Sequence, residues 1–184
     1  MVSCLHVIGF VAQLVVACTA AASTCAQSLG HDTTPLLPSA RVRTVGPEAA
    51  ALLGDGVARS PTLAQLVSDV NQTELLVRVE LASFLKSSGD ISIISATSAF
   101  RYLRIRVRIP AARTDLIVAL AHELRHAIEI AGDPDARDES AVRRLYARIG
   151  RADWKGDHFE TRAAQETGWR VRDELTKPCA LEVR

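Results

Sequence analysis

Two histidines with the spacing of a metal site stand in the segment His122-Glu123-Leu124-Arg125-His126. Residues four apart share one face of a helix, so both imidazoles can reach a single tetrahedral zinc ion. Glu123 lies about a hundred degrees round the helix from His122, where it can touch a zinc-bound water without binding the metal. It would take the proton of that water, which would then attack an amide carbonyl. The spacing predicts zinc ligation by His122 and His126 and a general base at Glu123; the alternative is a helix that merely contains two histidines.

A third protein ligand is expected, because a catalytic zinc usually takes three and leaves one position for water. The candidates downstream are Glu129, His158, Glu160 and Glu166. Glu129 follows His122 by seven residues, a rise of about 10.5 Å along a straight helix, which is too far for all three side chains to meet one ion. We therefore expect Glu129 to hold a ligand histidine, or to be an ordinary carboxylate at the helix end.

Helical periodicity separates the remaining candidates. A helix over 158–175 would place Glu160 on an apolar stripe with Ala163, Ala164, Val171 and Leu175, facing the core, and Glu166 on the solvated face. We favour Glu160 as the ligand because zinc held by two neutral histidines needs an anionic partner. The same carboxylate could instead complete a capping box with Asp157. His158 is the fallback ligand, and it could otherwise line the cleft and donate a hydrogen bond to a developing oxyanion. Tyr146 could donate in the same way, although packing is its more usual role.

The surrounding pattern mixes strands and helices in an order typical of an α+β domain. Strands are predicted over Glu74–Leu81, Asp90–Thr97 and Tyr102–Ile109, the last because Leu, Ile and Val alternate with three arginines. Ser60-Pro61 is a cap and first turn for a helix. A short helix is predicted over Pro47–Leu53 and is expected to end at Gly54-Asp55-Gly56. Three more are predicted downstream: one that Thr114 caps and that ends at Ala131, one over 136–149 and one over 158–175. We assign residues 42–184 to one domain.

The HExxH segment, followed by a helix bearing Glu-x-x-Ala, resembles the gluzincin type of zincin metallopeptidase. HELRHAIEIAG followed by FETRAA is also similar to a group of small exported bacterial proteins without an assigned substrate. The resemblance implies zinc ligands at His122, His126 and Glu160, a general base at Glu123, and a short mixed or antiparallel sheet beside a buried motif helix. It also implies an edge strand that binds extended peptide, for which Tyr102–Ile109 is the candidate. Its arginines would then favour acidic substrates, unless they form a solvated face.

Composition limits the partners and suggests export. The net charge of +1 argues against a general nucleic-acid binder. Residues 1–26 contain no Lys, Arg, Asp or Glu and pass from an apolar run to small residues, which predicts a signal peptide too short for a comfortable membrane span. The alternatives are lipoprotein processing at Cys18 and an uncleaved membrane anchor. Removal of 1–26 would leave Cys179 as the only cysteine, so no internal disulfide is expected. Residues 27–41 are read as a flexible leader.

These inferences converge on an exported zinc hydrolase, a metallopeptidase acting on a peptide or protein substrate. Two alternatives come from other classes of protein. One is a zinc-containing binding or structural module without turnover, which would have no need of Glu123. The other is a metal-free interaction domain, which metal analysis would reveal.

Overall fold

A computed structural model describes residues 40–152 and 159–177 of the chain. These residues form a four-stranded sheet, a two-stranded sheet and five helices, in an α+β arrangement that confirms the predicted fold class. The strands are β1 (Val42–Thr44), β2 (Leu75–Ala82), β3 (Gly89–Ala96), β4 (Arg101–Arg108), β5 (Arg151–Ala152) and β6 (Phe159–Glu160). The helices are α1 (Gly46–Arg59), α2 (Pro61–Asn71), α3 (Arg113–Ala131), α4 (Glu139–Ile149) and α5 (Arg162–Thr176).

The main sheet has the order β1-β2-β4-β3. β1, β2 and β4 run parallel, and β3 runs antiparallel to β4 at the edge. The expectation that Tyr102–Ile109 forms the edge is therefore wrong, because this strand pairs on both sides. β4 is nevertheless a strand with the predicted alternation: Leu103, Ile105 and Val107 are buried, whereas the arginines between them face the opposite side of the sheet.

The buried faces of the helices and the inward side of the main sheet share one hydrophobic core. Helix α3 lies within it, packed against β3 and β4 on one side and α5 on another. Ten of its nineteen residues are buried, which explains the apolar character of the segment before the motif. Burial by two neighbouring layers fixes this helix in place and so positions the side chains of the HExxH segment.

Arg101 anchors the end of the motif helix and was not singled out by its sequence. Its guanidinium is fully buried and forms an ion pair with Glu74 at the start of the sheet. It also donates hydrogen bonds to four carbonyl groups where α3 ends and the chain approaches α4: Ile130, Ala131, Asp133 and Ala136. The last carbonyls of a helix have no partners within the helix, so this side chain supplies them.

Some predicted helix boundaries are correct and others are wrong. Ser60 caps α2 as expected, its Oγ accepting from Leu63 N at 3.0 Å. Helix α3 begins one residue before Thr114, with Ala112 at the cap position. Gly54-Asp55-Gly56 does not end α1, which continues to Arg59. A Cβ at Gly56 would lie 2.4 Å from Leu63 and 3.0 Å from Ile117, so this glycine permits close helix packing rather than a turn.

Several expectations fall on residues outside the described ranges. These are the signal peptide over 1–26, most of the leader over 27–41, Cys18, Cys179 and His158. Among the helices of the described residues, none combines the length and apolar character needed to cross a membrane.

Candidate metal centre

The HExxH segment lies in the middle of α3, where the metal hypothesis requires it. Glu123 and His126 are buried, with 6% and 5% of their surface exposed, and His122 is half-buried. The two imidazole rings lie on the same face of the helix, with their centroids 4.9 Å apart. The helical spacing therefore brings both histidines to one point, as predicted from the sequence.

Glu160 completes a group of three potential ligands with these histidines. Its Oε1 lies 3.3 Å from His122 Nε2 and 3.9 Å from His126 Nε2. One donor atom from each of the three residues lies within 4.8 Å of the others. Ligands at 2.0–2.2 Å from a tetrahedral zinc are about 3.3 Å apart, so the donor atoms need only small movements to bind one ion. The donor set, two imidazoles and one carboxylate, also suits zinc chemically.

Glu160 reaches this position from a strand and not from a helix. Phe159 and Glu160 form β6, which pairs with Arg151 and Ala152 of β5. The predicted helix over 158–175 begins only at Arg162, because Thr161 is its cap: Thr161 Oγ1 accepts from Ala164 N at 3.1 Å. The prediction that Glu160 lies on an inward-facing helical stripe is therefore wrong, because the residue lies on a strand. Its side chain nevertheless reaches the two histidines. The cap of α5 is Thr161, and Asp157 of the predicted capping box lies outside the described residues.

Glu129 holds one of the histidines, as expected for a supporting carboxylate. Its Oε2 lies 2.8 Å from His126 Nδ1, and its Oε1 accepts from Thr161 Oγ1 at 2.7 Å. Burial alone would raise the pKa of Glu129, but the hydrogen bonds from His126 and Thr161 outweigh it and lower the pKa. An ionised carboxylate only accepts hydrogen bonds, so His126 carries its proton on Nδ1 and directs Nε2 towards Glu160. Glu129 thus joins the motif helix to the residue that follows Glu160.

The two histidines have different electrostatic surroundings. Burial, reinforced by the charge of His126, lowers the pKa of His122 to about 4. A hydrogen bond with the backbone of Ala164 acts in the opposite direction but is outweighed. At His126, burial acts to lower the pKa, yet the bond to Glu129 and the nearby charges of Glu123 and Glu160 raise it overall. His122 is therefore neutral at neutral pH and able to bind a metal. The carboxylates around His126 instead stabilise the protonated, positively charged form of its imidazole.

Glu123 lies against the edge strand β3. A Cβ built on Gly89 of β3 would lie 2.9 Å from both Cγ and Oε1 of Glu123, so only glycine allows the edge strand to approach this carboxylate. Burial, supported by the charges of Asp90 and Glu160, raises the pKa of Glu123 to about 7. A carboxylate with this pKa can exchange a proton near neutral pH, as a general base must.

A cavity of about 310 Å³ opens over these side chains. Residues 87–91, at the start of the edge strand, form one wall, and residues of α4 with Phe159 form another. A second cavity of about 310 Å³ shares Ser88 and His122 with the first and continues along α3 towards Asp115 and Arg172. The potential ligands therefore lie in an open groove between β3 and the helices, not in a closed core.

The other candidates have different roles. Glu166 is exposed on α5 and pairs with Arg162, so it lies away from the histidines as predicted. Tyr146 lines the cavity, but its hydroxyl donates to the backbone carbonyl of His126 at 3.2 Å, and its ring packs edge-on against His126. It therefore supports the motif helix. Sequence reasoning missed Thr161 and Gly89, although a Ser or Thr three residues before an apolar helical position is a recognisable cap signal.

Comparison of the chain with known protein-family models, with curated proteins and with solved structures gives no match.

Proposed function

We propose that this chain is a zinc-dependent hydrolase, most simply a metallopeptidase of the zincin type, with His122, His126 and Glu160 as metal ligands and Glu123 as general base. The observation that carries the proposal is the convergence of two imidazoles and a carboxylate beside a buried glutamate in one groove. A structural zinc site would normally be closed by four protein ligands, whereas three ligands in an open groove leave a position for water or substrate.

The residues of the chain divide the chemistry between them. Bound zinc would supply Lewis acidity, polarising a substrate carbonyl and lowering the pKa of a water molecule. Glu123, whose pKa is about 7 in the metal-free site, would accept the proton of that water and later deliver it to the leaving amine. Glu129 keeps the Nδ1 proton of His126 in place, which leaves Nε2 free to bind the metal.

The free edge of β3 supports a peptide as the substrate. β3 pairs only with β4 among the described strands, and residues 87–91 line the groove beside the motif helix. An extended peptide adding to this edge by backbone hydrogen bonds would pass directly over His122 and Glu123. The continuation of the groove past His122 provides space for substrate residues on both sides of the scissile bond.

Metal content and hydrolysis together test the proposal. The purified chain should carry close to one zinc ion, and His122→Ala or His126→Ala should lose it, while Arg144→Ala on the exposed side of α4 should keep it. Glu123→Gln should keep the zinc but reduce hydrolysis of casein or a peptide library by about two to four orders of magnitude. A chain that cannot be loaded with zinc contradicts the metal site. Zinc without any hydrolysis would instead support a non-catalytic zinc module.

Export remains part of the proposal. The charge-free first 26 residues predict a mature chain that begins at Gln27. N-terminal sequencing of the exported protein tests this. A lipid on Cys18 would support the lipoprotein alternative, and an intact Met1 retained in a membrane would contradict both.

A further inference from the structure

The side of the main sheet that faces away from the helices carries a concentration of arginines. Three strands contribute the five residues that we call the arginine face: Arg43, Arg78, Arg104, Arg106 and Arg108. The carboxylates on this side are Glu80 and Asp90, so the surface has a surplus of three positive charges, although the whole chain has a net charge of only +1. None of the five arginines lines the cavity over the candidate metal centre, although Arg108 lines the second cavity, which continues it along α3.

The strand register places like charges next to one another. Arg43 pairs with Arg78 across β1 and β2, and Arg78 pairs with Arg104 across β2 and β4. Like charges directly opposite each other destabilise a sheet, so this row is a cost to the fold. Glu80 offsets part of it, at 3.6 Å from Arg78 and 3.8 Å from Arg104. Arg43 has no carboxylate partner within the described part of the chain.

Two buried polar atoms at the end of this row lack hydrogen-bond partners. They are Arg104 Nε and Ser92 Oγ, whose residues lie directly opposite each other in the register of β4 and β3. A buried donor without a partner is costly, and native structures seldom leave one. Glu80 Oε1, at 3.8 Å from Arg104 Nε, is too distant to accept a hydrogen bond from it.

An apolar groove of about 440 Å³ adjoins the arginines. Its walls include Leu76, Tyr102 and two residues with unusually high exposure for their type, Val45 at 40% and Ile94 at 54%. Arg43 and Arg78 stand at its border. The surface therefore offers an apolar slot next to a row of guanidinium groups, each able to bind a carboxylate through two hydrogen bonds.

We propose that this surface docks an acidic polypeptide segment, with carboxylates on the arginine face and an apolar side chain in the groove. Charge complementarity favours such a partner. A second copy of the chain fits poorly, because a symmetric dimer would bring arginine against arginine. Nucleic acid fits poorly, because the chain lacks the overall basic excess of such binders. The docking surface does not depend on the proposed hydrolase activity.

Fluorescence anisotropy tests this with a labelled octapeptide of alternating Glu and Leu, checked for integrity by mass spectrometry. Peptides of alternating Gln and Leu, and of alternating Glu and Ser, remove the charge and the apolar groups separately, and both should bind about tenfold more weakly or worse. Arg78→Gln and Arg104→Gln should each weaken binding of the Glu-Leu peptide by about tenfold, and Ile94→Ser should also weaken it. Arg144→Gln is the matched control, since Arg144 is exposed on α4 and lines neither groove, and it should change nothing. Arg143→Gln, in the wall of the metal-site cavity, reports on peptide binding there.

Raising the salt from about 50 to about 200 mM should weaken binding of the wild type more than that of Arg78→Gln. Equal binding by wild type and the Arg78 and Arg104 variants would overturn the proposal, as would absence of binding by the wild type. Loss of peptide binding in the Arg143→Gln variant alone would mean that the peptide binds in the metal-site groove, which would also overturn the proposal. Tighter binding of poly(U) or of phosphatidylserine vesicles than of the peptide would identify another class of partner. Self-association abolished by Arg78→Gln would identify a second copy as the occupant.

Discussion

Glu123 should make the metal-free protein less stable as the pH rises. Burial raises the pKa of Glu123 from 4.5 to about 7. Below pH 4.5 the carboxyl group is neutral in both the folded and unfolded states, so no penalty applies. Above pH 7 it is ionised in both, and the folded state carries the full cost of a buried charge. The stability associated with neutral Glu123 is therefore lost as the pH rises through about 7.

The size of the pKa shift of Glu123 sets the size of the change in stability. A rise from 4.5 to about 7 corresponds to about 3 kcal/mol in the free energy of unfolding. Glu123→Gln keeps the shape of the neutral side chain and cannot ionise, so it should escape this loss. We expect its stability relative to wild type to increase by about 3 kcal/mol between pH 4.5 and about pH 8. His122, His126 and Glu160 titrate in both proteins, so their direct contributions largely cancel in the comparison.

Urea denaturation of chelator-treated protein across this pH range measures the difference directly. Glu166→Gln is the control, because Glu166 is exposed on α5 and pairs with Arg162 at the surface. Its stability should follow that of wild type at every pH. Parallel profiles for wild type and Glu123→Gln would refute the reasoning, since they would mean that Glu123 is not held in a desolvated position.

Three further predictions concern the metal ligands and their supports. Glu160→Ala should greatly reduce the affinity for zinc, measured by competition with a chromogenic chelator, whereas Glu166→Ala should leave it unchanged. The reverse result would contradict the assignment of Glu160 as the third ligand. Glu129→Gln should weaken zinc binding by about 10–100-fold because His126 loses its ionised partner, and unchanged affinity in the same assay would exclude that supporting role. Arg101→Met should lower the free energy of unfolding by about 3–5 kcal/mol, since it leaves Glu74 and the carbonyls at the end of α3 without their partner. Arg108→Met, exposed on the same strand, should change stability by less than about 0.5 kcal/mol in the same urea titration.

Patterns that depend on neighbours in the chain were readable from the sequence. Ser60-Pro61 begins a helix because a hydroxyl cap and a proline with a fixed φ act within a few residues. The alternation in β4 predicts a strand because successive side chains must face opposite sides. The spacing of His122 and His126 places two imidazoles on one face for the same kind of local reason. The fold class follows from such elements in order.

The site itself was decided by contacts between distant residues. Glu160 was expected on a helix, but the pairing of β6 with β5 and the cap at Thr161 place it on a strand. A strand of two residues is too short to show a periodic pattern in the sequence, so neither contact could be predicted. β4 was expected at the edge, yet its central position depends on a parallel partner, β2, that precedes it by more than twenty residues. Arg101 is buried only because the end of α3 supplies carbonyl groups around it. Local sequence therefore determined which groups could do chemistry, and tertiary packing decided which of them meet, because strand pairing and desolvation depend on residues far apart in the chain.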